Sequence, residues 1–319
     1  PSDLATARER WAELAKMIGL SKRQLENKLG ARMDKEFVYL KRHITPELGE
    51  QVMAQGFPGV SLQREYRRYY PLGEVTSHVV GFTNIDDVGQ EGAELMMNEQ
   101  LRGTPGSKRV IKDRLGRIVE NVESIHEPRP GQELALSLDR RIQYLAYREL
   151  LGAVQRHKAK AGSVVVLDVH TGEVLAMVNQ PAYNPNNRKA LSAKRLRNRA
   201  VTDVFEPGST VKPFTVAAAL ESGKFTPTSL IDTNPGSIKV ASFTIRDHRN
   251  YGKIDISTVI QKSSNVRASH MALATEPQQW WNLFVNAGFG YDTGSGFPGE
   301  AAGLMNAYQD VGTAERGPV

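Results

Sequence analysis

The stretch AGSVVVLDVHTGEVLAMVN, residues 161–179, constrains the fold more than any other part of the chain. Two apolar runs, the first of them rich in valine, flank His170-Thr171-Gly172, and β-branched residues at this density favour extended backbone. The turn between them is long enough only to join antiparallel neighbours, so the stretch reads as a β-hairpin. A two-stranded unit is marginal in water and needs further strands or a helix to cover it. Helical patterns lie on both sides. Asp139 can cap a helix whose Ile142, Leu145, Ala146, Leu150 and Val154 fit one buried face, and another helix follows Ser209. Helix, hairpin and helix imply an α/β or α+β layer.

The preceding part reads as a mosaic of short elements. Ser2 or Asp3 can cap a first helix carrying Leu4, Trp11, Leu14 and Ile18. Ser21 and Gln24 form a capping box for a second, which takes Leu25 and Leu29 to a stop at Gly30. Thr45-Pro46 opens a third, ending near Gly56. Val60 to Tyr70 reads as a strand with a charged face, Glu91 to Leu101 as a helix, and Lys108 to Lys112 with Arg117 to Val122 as a hairpin turning at Leu115-Gly116. Leu134 to Leu138 reads as a strand leading into the helix capped by Asp139. Two prolines and a glycine in HEPRPGQ, residues 126–132, mark a linker, which divides the chain into domains 1–128 and 129–319.

Composition narrows the function classes. The 319 residues suffice for one large or two medium domains, each with its own core. Lys and Arg exceed Asp and Glu by 41 to 35, a net charge of +6 without a block of like charge, which argues against a nucleic-acid partner. Cysteine is absent, so disulfides, thiolate metal sites and cysteine nucleophiles are excluded together. The seven histidines show no metal-ligand spacing, and no metal or other cofactor is expected. No apolar run approaches the roughly 18 residues needed to cross a bilayer. Trp280 and Trp281 share a helical pattern with Leu283 and Phe284, so at least one is expected to pack in the core. Arg64, Arg67 and Arg68, interleaved with Tyr66, Tyr69 and Tyr70, read as the solvated basic face of a strand rather than a nucleic-acid patch.

FEPGSTVKPF, residues 205–214, carries the chemistry. Gly208 lets the backbone turn sharply into a helix, and Pro213 is tolerated only within about its first turn, where its missing N–H has no partner to lose. Ser209 therefore stands at a helix N-terminus. Pro213 disfavours helical geometry at Lys212, so the first turn is expected to be distorted. Ser209 and Lys212, three apart, then share one face. A serine hydroxyl is a poor nucleophile until a neighbouring base takes its proton, and a lysine serves when desolvation or nearby positive charge lowers its pKa. The helix N-terminus adds N–H groups and partial positive charge toward an oxyanion. The bland alternative is a capping serine beside a solvated lysine. QKSSNV, residues 261–266, tips the balance, because Ser263 and Asn265 form the S-x-N arrangement that serine-lysine acyl-transfer enzymes pair with S-x-x-K.

RNRAVTDVFEPGSTVKPF followed by KSSNV resembles the transpeptidase domain of class B penicillin-binding proteins, most of all the septal type. The hairpin and the turn after it, AGSVVVLDVHTGEVLAMVNQPAYNPNN, resemble the family's first hairpin. REYRRYYPLGEVTSHVVGFTNIDDVGQEGAE resembles its non-catalytic pedestal domain. The resemblance runs from about Phe37 to Leu304. It implies a penicillin-binding transpeptidase fold, an antiparallel sheet flanked by helices, above a mixed α/β pedestal. It further implies that Ser209 is the acylated nucleophile, Lys212 its general base, Ser263 a proton relay to the leaving amine, and Asn265 the holder of the bound peptide's amide. The implied partners are peptidoglycan stem peptides ending in D-Ala-D-Ala, β-lactams, a membrane-embedded glycan polymerase and other division proteins. The implied location is the periplasmic face of the bacterial inner membrane, with an anchor before Pro1.

Two departures from the family pattern stand out. Arg267 replaces the family's usual glycine just past S-x-N, so an altered turn is expected there. No lysine follows Lys262 to supply the family's K-[ST]-G motif; Gly312-Thr313-Ala314 echoes its end but is preceded by Val311. The sheet and that motif lead us to expect further residues after Leu304. Two other readings share S-x-x-K. A serine β-lactamase would hydrolyse its acyl-enzyme rapidly, whereas a penicillin-binding sensor or scaffold would be acylated without turnover.

Overall fold

A computed structural model describes residues 1–30, 32, 34–112 and 118–306. The chain forms two compact units, Pro1–Pro71 and a second from Leu72 onward.

In the first unit, α1 (Ser2–Ala5), α2 (Trp11–Met17), α3 (Lys22–Gly30) and α4 (Pro46–Ala54) enclose a core of Leu4, Trp11, Leu14, Ile18, Leu25, Leu29, Val52 and Phe57. The expected first helix is broken. α1 ends after one turn, Pro1 rather than Ser2 or Asp3 occupies its N-cap, and a 3-10 turn, Arg8–Arg10, precedes α2. The indole Nε1 of Trp11 donates to the Leu4 carbonyl at 2.9 Å, a bond that takes up a helix-end acceptor and folds the two segments together. The capping box of α3 forms as expected: the Ser21 N–H donates to Gln24 Oε1 at 2.8 Å and the Gln24 N–H to Ser21 Oγ at 3.2 Å. Thr45 caps α4 through the Leu48 N–H at 3.3 Å, with Pro46 in the first turn. Val60 to Tyr70 is not a strand; among the described residues no neighbouring chain pairs with it. Its side chains find other anchors, Glu65 against Arg42 at 2.7 Å and Tyr70 in the interior, while Tyr66 and Tyr69 stay exposed.

The second unit opens with α5 (Ser77–Val80), β1 (Phe82–Thr83), β2 (Gly89–Glu91), α6 (Gly92–Met96) and α7 (Asn98–Arg102). The single helix expected over Glu91 to Leu101 is thus interrupted at Met97 and starts at Gly92. Gly92 has φ +58° and packs so closely on α5 that an added Cβ would lie 2.5 Å from the Val79 carbonyl oxygen. β3 (Ser107–Lys112) and β4 (Ile118–His126) form the expected antiparallel hairpin, whose turn at Leu115-Gly116 lies outside the described residues.

α8 (Arg140–Arg156) begins at Asp139, whose Oδ1 accepts the N–H groups of Arg141 at 2.8 Å and Ile142 at 3.1 Å. It packs on the hairpin of β5 (Gly162–Leu167) and β6 (Val174–Gln180), paired in register from Gly162 with Gln180 to Val166 with Ala176. Leu134 to Leu138 is not a strand. Two bonds attach this stretch and its end to β6, Ser137 Oγ to the Val174 carbonyl and the Asp139 N–H to the Leu175 carbonyl, and the chain then turns into the helix. Leu145 is exposed, contrary to the apolar-face reading. Gln143 takes the inward position instead: its Nε2 donates to the carbonyls of Val75 at 2.7 Å and Met177 at 2.9 Å, and its Oε1 accepts the Met177 N–H at 2.8 Å. That set of bonds rotates the buried stripe toward a polar residue.

The remainder comprises α9 (Ala193–Leu196), α10 (Arg199–Thr202), α11 (Lys212–Glu221), β7 (Ile231–Asp232), β8 (Ser237–Val240), β9 (Phe243–Arg246), β10 (Lys253–Ile254), α12 (Ile256–Lys262), α13 (Asn265–Ala274) and α14 (Pro277–Asn286). β7 pairs with β10 and β8 with β9, and every strand pair among the described residues is antiparallel. Val216 and Ala219 of α11, Ile256 and Val259 of α12, and Met271 of α13 form the core beneath the site. Trp280 stacks at 4.2 Å on the buried Phe284. No helix among the described residues is long and apolar enough to cross a membrane.

Candidate active site

The chain approaches the site through a clamp. Asp203 accepts Arg197 Nε at 2.6 Å and Arg199 Nη1 at 2.8 Å, fixing the end of α10. Gly208, at φ +57°, then turns the backbone into a 3-10 segment, Gly208–Val211, and α11 starts at Lys212 with Pro213 in its first turn. The expected distortion is present: Ser209 sits on the 3-10 turn and Lys212 at the junction. Ser209 is exposed, and among the described residues no hydrogen bond joins its hydroxyl to Lys212. Catalytic hydrogen bonds are often long in a free enzyme and tighten in the complex.

Lys212 points inward, only 8% exposed. Its Nζ donates to the Ser263 carbonyl at 2.7 Å, Ser263 Oγ at 2.9 Å and Asn265 Oδ1 at 2.6 Å. Three of the four residues singled out from sequence thus meet through one ammonium group. Asn265 Nδ2 donates to the Arg246 carbonyl at 3.0 Å, which leaves its Oδ1 to face the lysine. Of the three acceptors, only the Ser263 hydroxyl can reverse its role and donate once Lys212 loses a proton. Burial pulls the Lys212 pKa below the ordinary lysine value, with the Asp247 charge acting in the opposite direction.

The S-x-N turn is built from two helix ends. Ser263 ends α12 in the left-handed conformation, φ 55° and ψ 45°. The next residue, Ser264, is fully buried and caps α13, accepting the Arg267 N–H at 3.1 Å. Asp247, which the sequence reading missed, holds this turn. Its Oδ2 accepts Ser264 Oγ at 2.7 Å, and its Oδ1 accepts the N–H groups of Asn265 at 2.6 Å and Val266 at 3.0 Å. A carboxylate at the positive end of a helix is a favourable placement, but a lone aspartate after β9 carries no local signal that it caps a helix 18 residues on.

Arg267, linked by its place in the sequence to an altered turn, does not itself lie in the S-x-N turn. Ser264 completes the cap before it, so Arg267 lies in the first turn of α13 and is fully buried. Its Nη2 donates to the Ile254 carbonyl, while Nε and Nη1 have no hydrogen-bond partner among the described residues. Burial pushes its pKa down to about 10, against the attraction of Asp232 and Asp255. The Gly312-Thr313-Ala314 sequence lies outside the described residues.

A buried lysine close to an exposed serine on a helix-start turn, and bonded to a hydroxyl that can reverse its role, is suited to acyl transfer. Comparison with known proteins points the same way. Residues 162–316 match the penicillin-binding protein transpeptidase domain, and residues 1–136 the penicillin-binding protein dimerisation domain. The chain is 42% identical over 308 residues to the peptidoglycan D,D-transpeptidase FtsI of Escherichia coli K12, covering 97% of this chain and 52% of the relative. It is 38% identical over 305 residues to FtsI of Buchnera aphidicola, covering 96% and 54%. Among solved structures, penicillin-binding protein 3 of Mycobacterium tuberculosis superposes with a TM-score of 0.67 at 32% identity, over 77% of this chain and 52% of that one. The same protein has been crystallised in complex with aztreonam. The chain spans about half the length of the curated relatives it matches.

Proposed function

Because the chain belongs to the class B penicillin-binding proteins, we propose that it cross-links peptidoglycan as a serine D,D-transpeptidase of septal cell-wall synthesis, with residues 1–128 as pedestal and 129–319 as catalytic domain. The observation that carries the reading is the buried Lys212, bonded to both Ser263 and Asn265 one short turn from Ser209. Neutral Lys212 takes the Ser209 proton as Oγ attacks the carbonyl carbon of the penultimate D-Ala. The C–N bond to the terminal D-Ala breaks, and the departing amine receives a proton from Lys212 through Ser263. The amine of a second stem then attacks the ester carbonyl and forms the new C–N bond, its proton passes to neutral Lys212, and Lys212 returns a proton to Ser209 Oγ as the C–Oγ bond breaks. Asn265 holds the stem's amide. β-Lactams take the donor's place and acylate the same serine. Such substrates place the protein on the periplasmic face of the inner membrane, beside a glycan-polymerising partner.

A fluorescent penicillin tests the assignment. The protein is expected to become covalently labelled and Ser209→Ala to lose the label entirely; undiminished labelling of the alanine variant would move the nucleophile elsewhere.

A further inference from the structure

We propose that Asp247 is a positioning residue of this site: it fixes Ser264 and Asn265 against Lys212, and its charge holds Lys212 in the cationic, triply bonded form until substrate arrives. The proposal rests on the reading of Lys212 as the base.

The geometry carries it. Among the described residues, the three hydrogen bonds that the Asp247 carboxylate accepts come from consecutive residues, Ser264, Asn265 and Val266. Asn265 in turn presents its Oδ1 to Lys212. One carboxylate therefore stands two bonds from the lysine nitrogen, through a residue that contacts it directly. Helices α12, α13 and α14 pack against α11, and β9 against α13. Their titratable groups are Lys262 on α12, Arg267 and His270 on α13, and Arg246 on β9, with none on α14. Of these and Asp247, Asp247 alone carries a negative charge, and that charge favours the Lys212 cation. Burial favours the neutral amine, so the two influences oppose each other across a single short turn. An enzyme with this arrangement keeps its base satisfied at rest and available when the site is desolvated further.

The test is the second-order rate of acylation by a fluorescent penicillin, followed from pH 6 to pH 10 on the folded protein. Base catalysis by Lys212 gives a rate that rises with pH through a midpoint. Asp247→Asn keeps an acceptor for the Asn265 and Val266 N–H groups but removes the charge. Its midpoint is expected about one pH unit lower, so that one unit below the wild-type midpoint the normalised rate is roughly fivefold higher. Ser264→Ala removes one bond to the carboxylate but keeps the charge, and its midpoint is expected to match wild type at a reduced plateau. An unmoved midpoint in Asp247→Asn overturns the proposal, as does an equal shift in Ser264→Ala, which would assign the effect to the shape of the turn. Should Asp247→Asn fail to fold by circular dichroism, Asp247→Ser, which also removes the charge while leaving a hydroxyl acceptor, is read in its place, with the same lowered midpoint expected and an unmoved one overturning the proposal. A wild-type rate that is flat with pH would strike the reading of Lys212 itself, a separate outcome from a wild-type limb that Asp247→Asn leaves in place.

Discussion

Lys212 gathers the site because a cation that is almost fully buried must find acceptors, and Ser263 and Asn265 supply them. Arginine at this position would keep the positive charge but could scarcely accept a proton. Lys212→Arg is therefore expected to slow acylation by about 10²- to 10⁴-fold, and an unchanged acylation rate in a folded variant would reduce Lys212 to a structural cation. The residues of this pair were legible because their neighbours Gly208 and Pro213 impose backbone geometry within a few positions. Asp247 was not, since its three partners come from a helix start far along the chain. Arg267 shows the reverse case: its place in the sequence suggested a disturbed turn, and only the cap at Ser264 reveals a buried helical guanidinium.

Elements defined by local chemistry follow the sequence closely. The capping box at Ser21, the caps at Thr45 and Asp139, and the turn that Asp168 closes over His170-Thr171-Gly172 each depend on residues within three or four positions. Elements that depend on a distant partner do not. Val60 to Tyr70 has strand composition without a paired neighbour among the described residues, and the helix expected from Leu4 to Ile18 yields to the Trp11 bond. α8 shows how one polar residue can redirect a helix face, for Gln143 is fully enclosed while Leu145 is exposed. Its amide serves two carbonyls and one N–H from α8 to β6 and to Val75. Gln143→Leu fills the same space but leaves those groups without partners. We expect a loss of about 2 kcal/mol or more, read as a lower urea midpoint, because each orphaned buried polar group costs roughly 1–3 kcal/mol. A midpoint equal to wild type would show that water replaces the amide.

At the scale of the whole molecule, a mixed helical and antiparallel architecture goes with two matched family domains, the dimerisation domain over residues 1–136 and the transpeptidase domain over 162–316. Lys212 at the start of α11, Asp247 after β9 and the Ser263–Asn265 turn between α12 and α13 bring three separated stretches of sequence together. Fold class and the serine-lysine pair were readable because their signals are local or span a long resemblance; the turn's support was not, because it is assembled across the fold. The central claim is that Ser209 forms an acyl-enzyme with a stem peptide, and mass spectrometry tests it most directly. Protein quenched in acid during exposure to a stem peptide ending in D-Ala-D-Ala is expected to carry the stem acyl group, less one D-alanine, on the proteolytic fragment containing Ser209. An acyl group mapped to another residue, or a penicillin-reactive protein that never acquires the stem, would contradict the account.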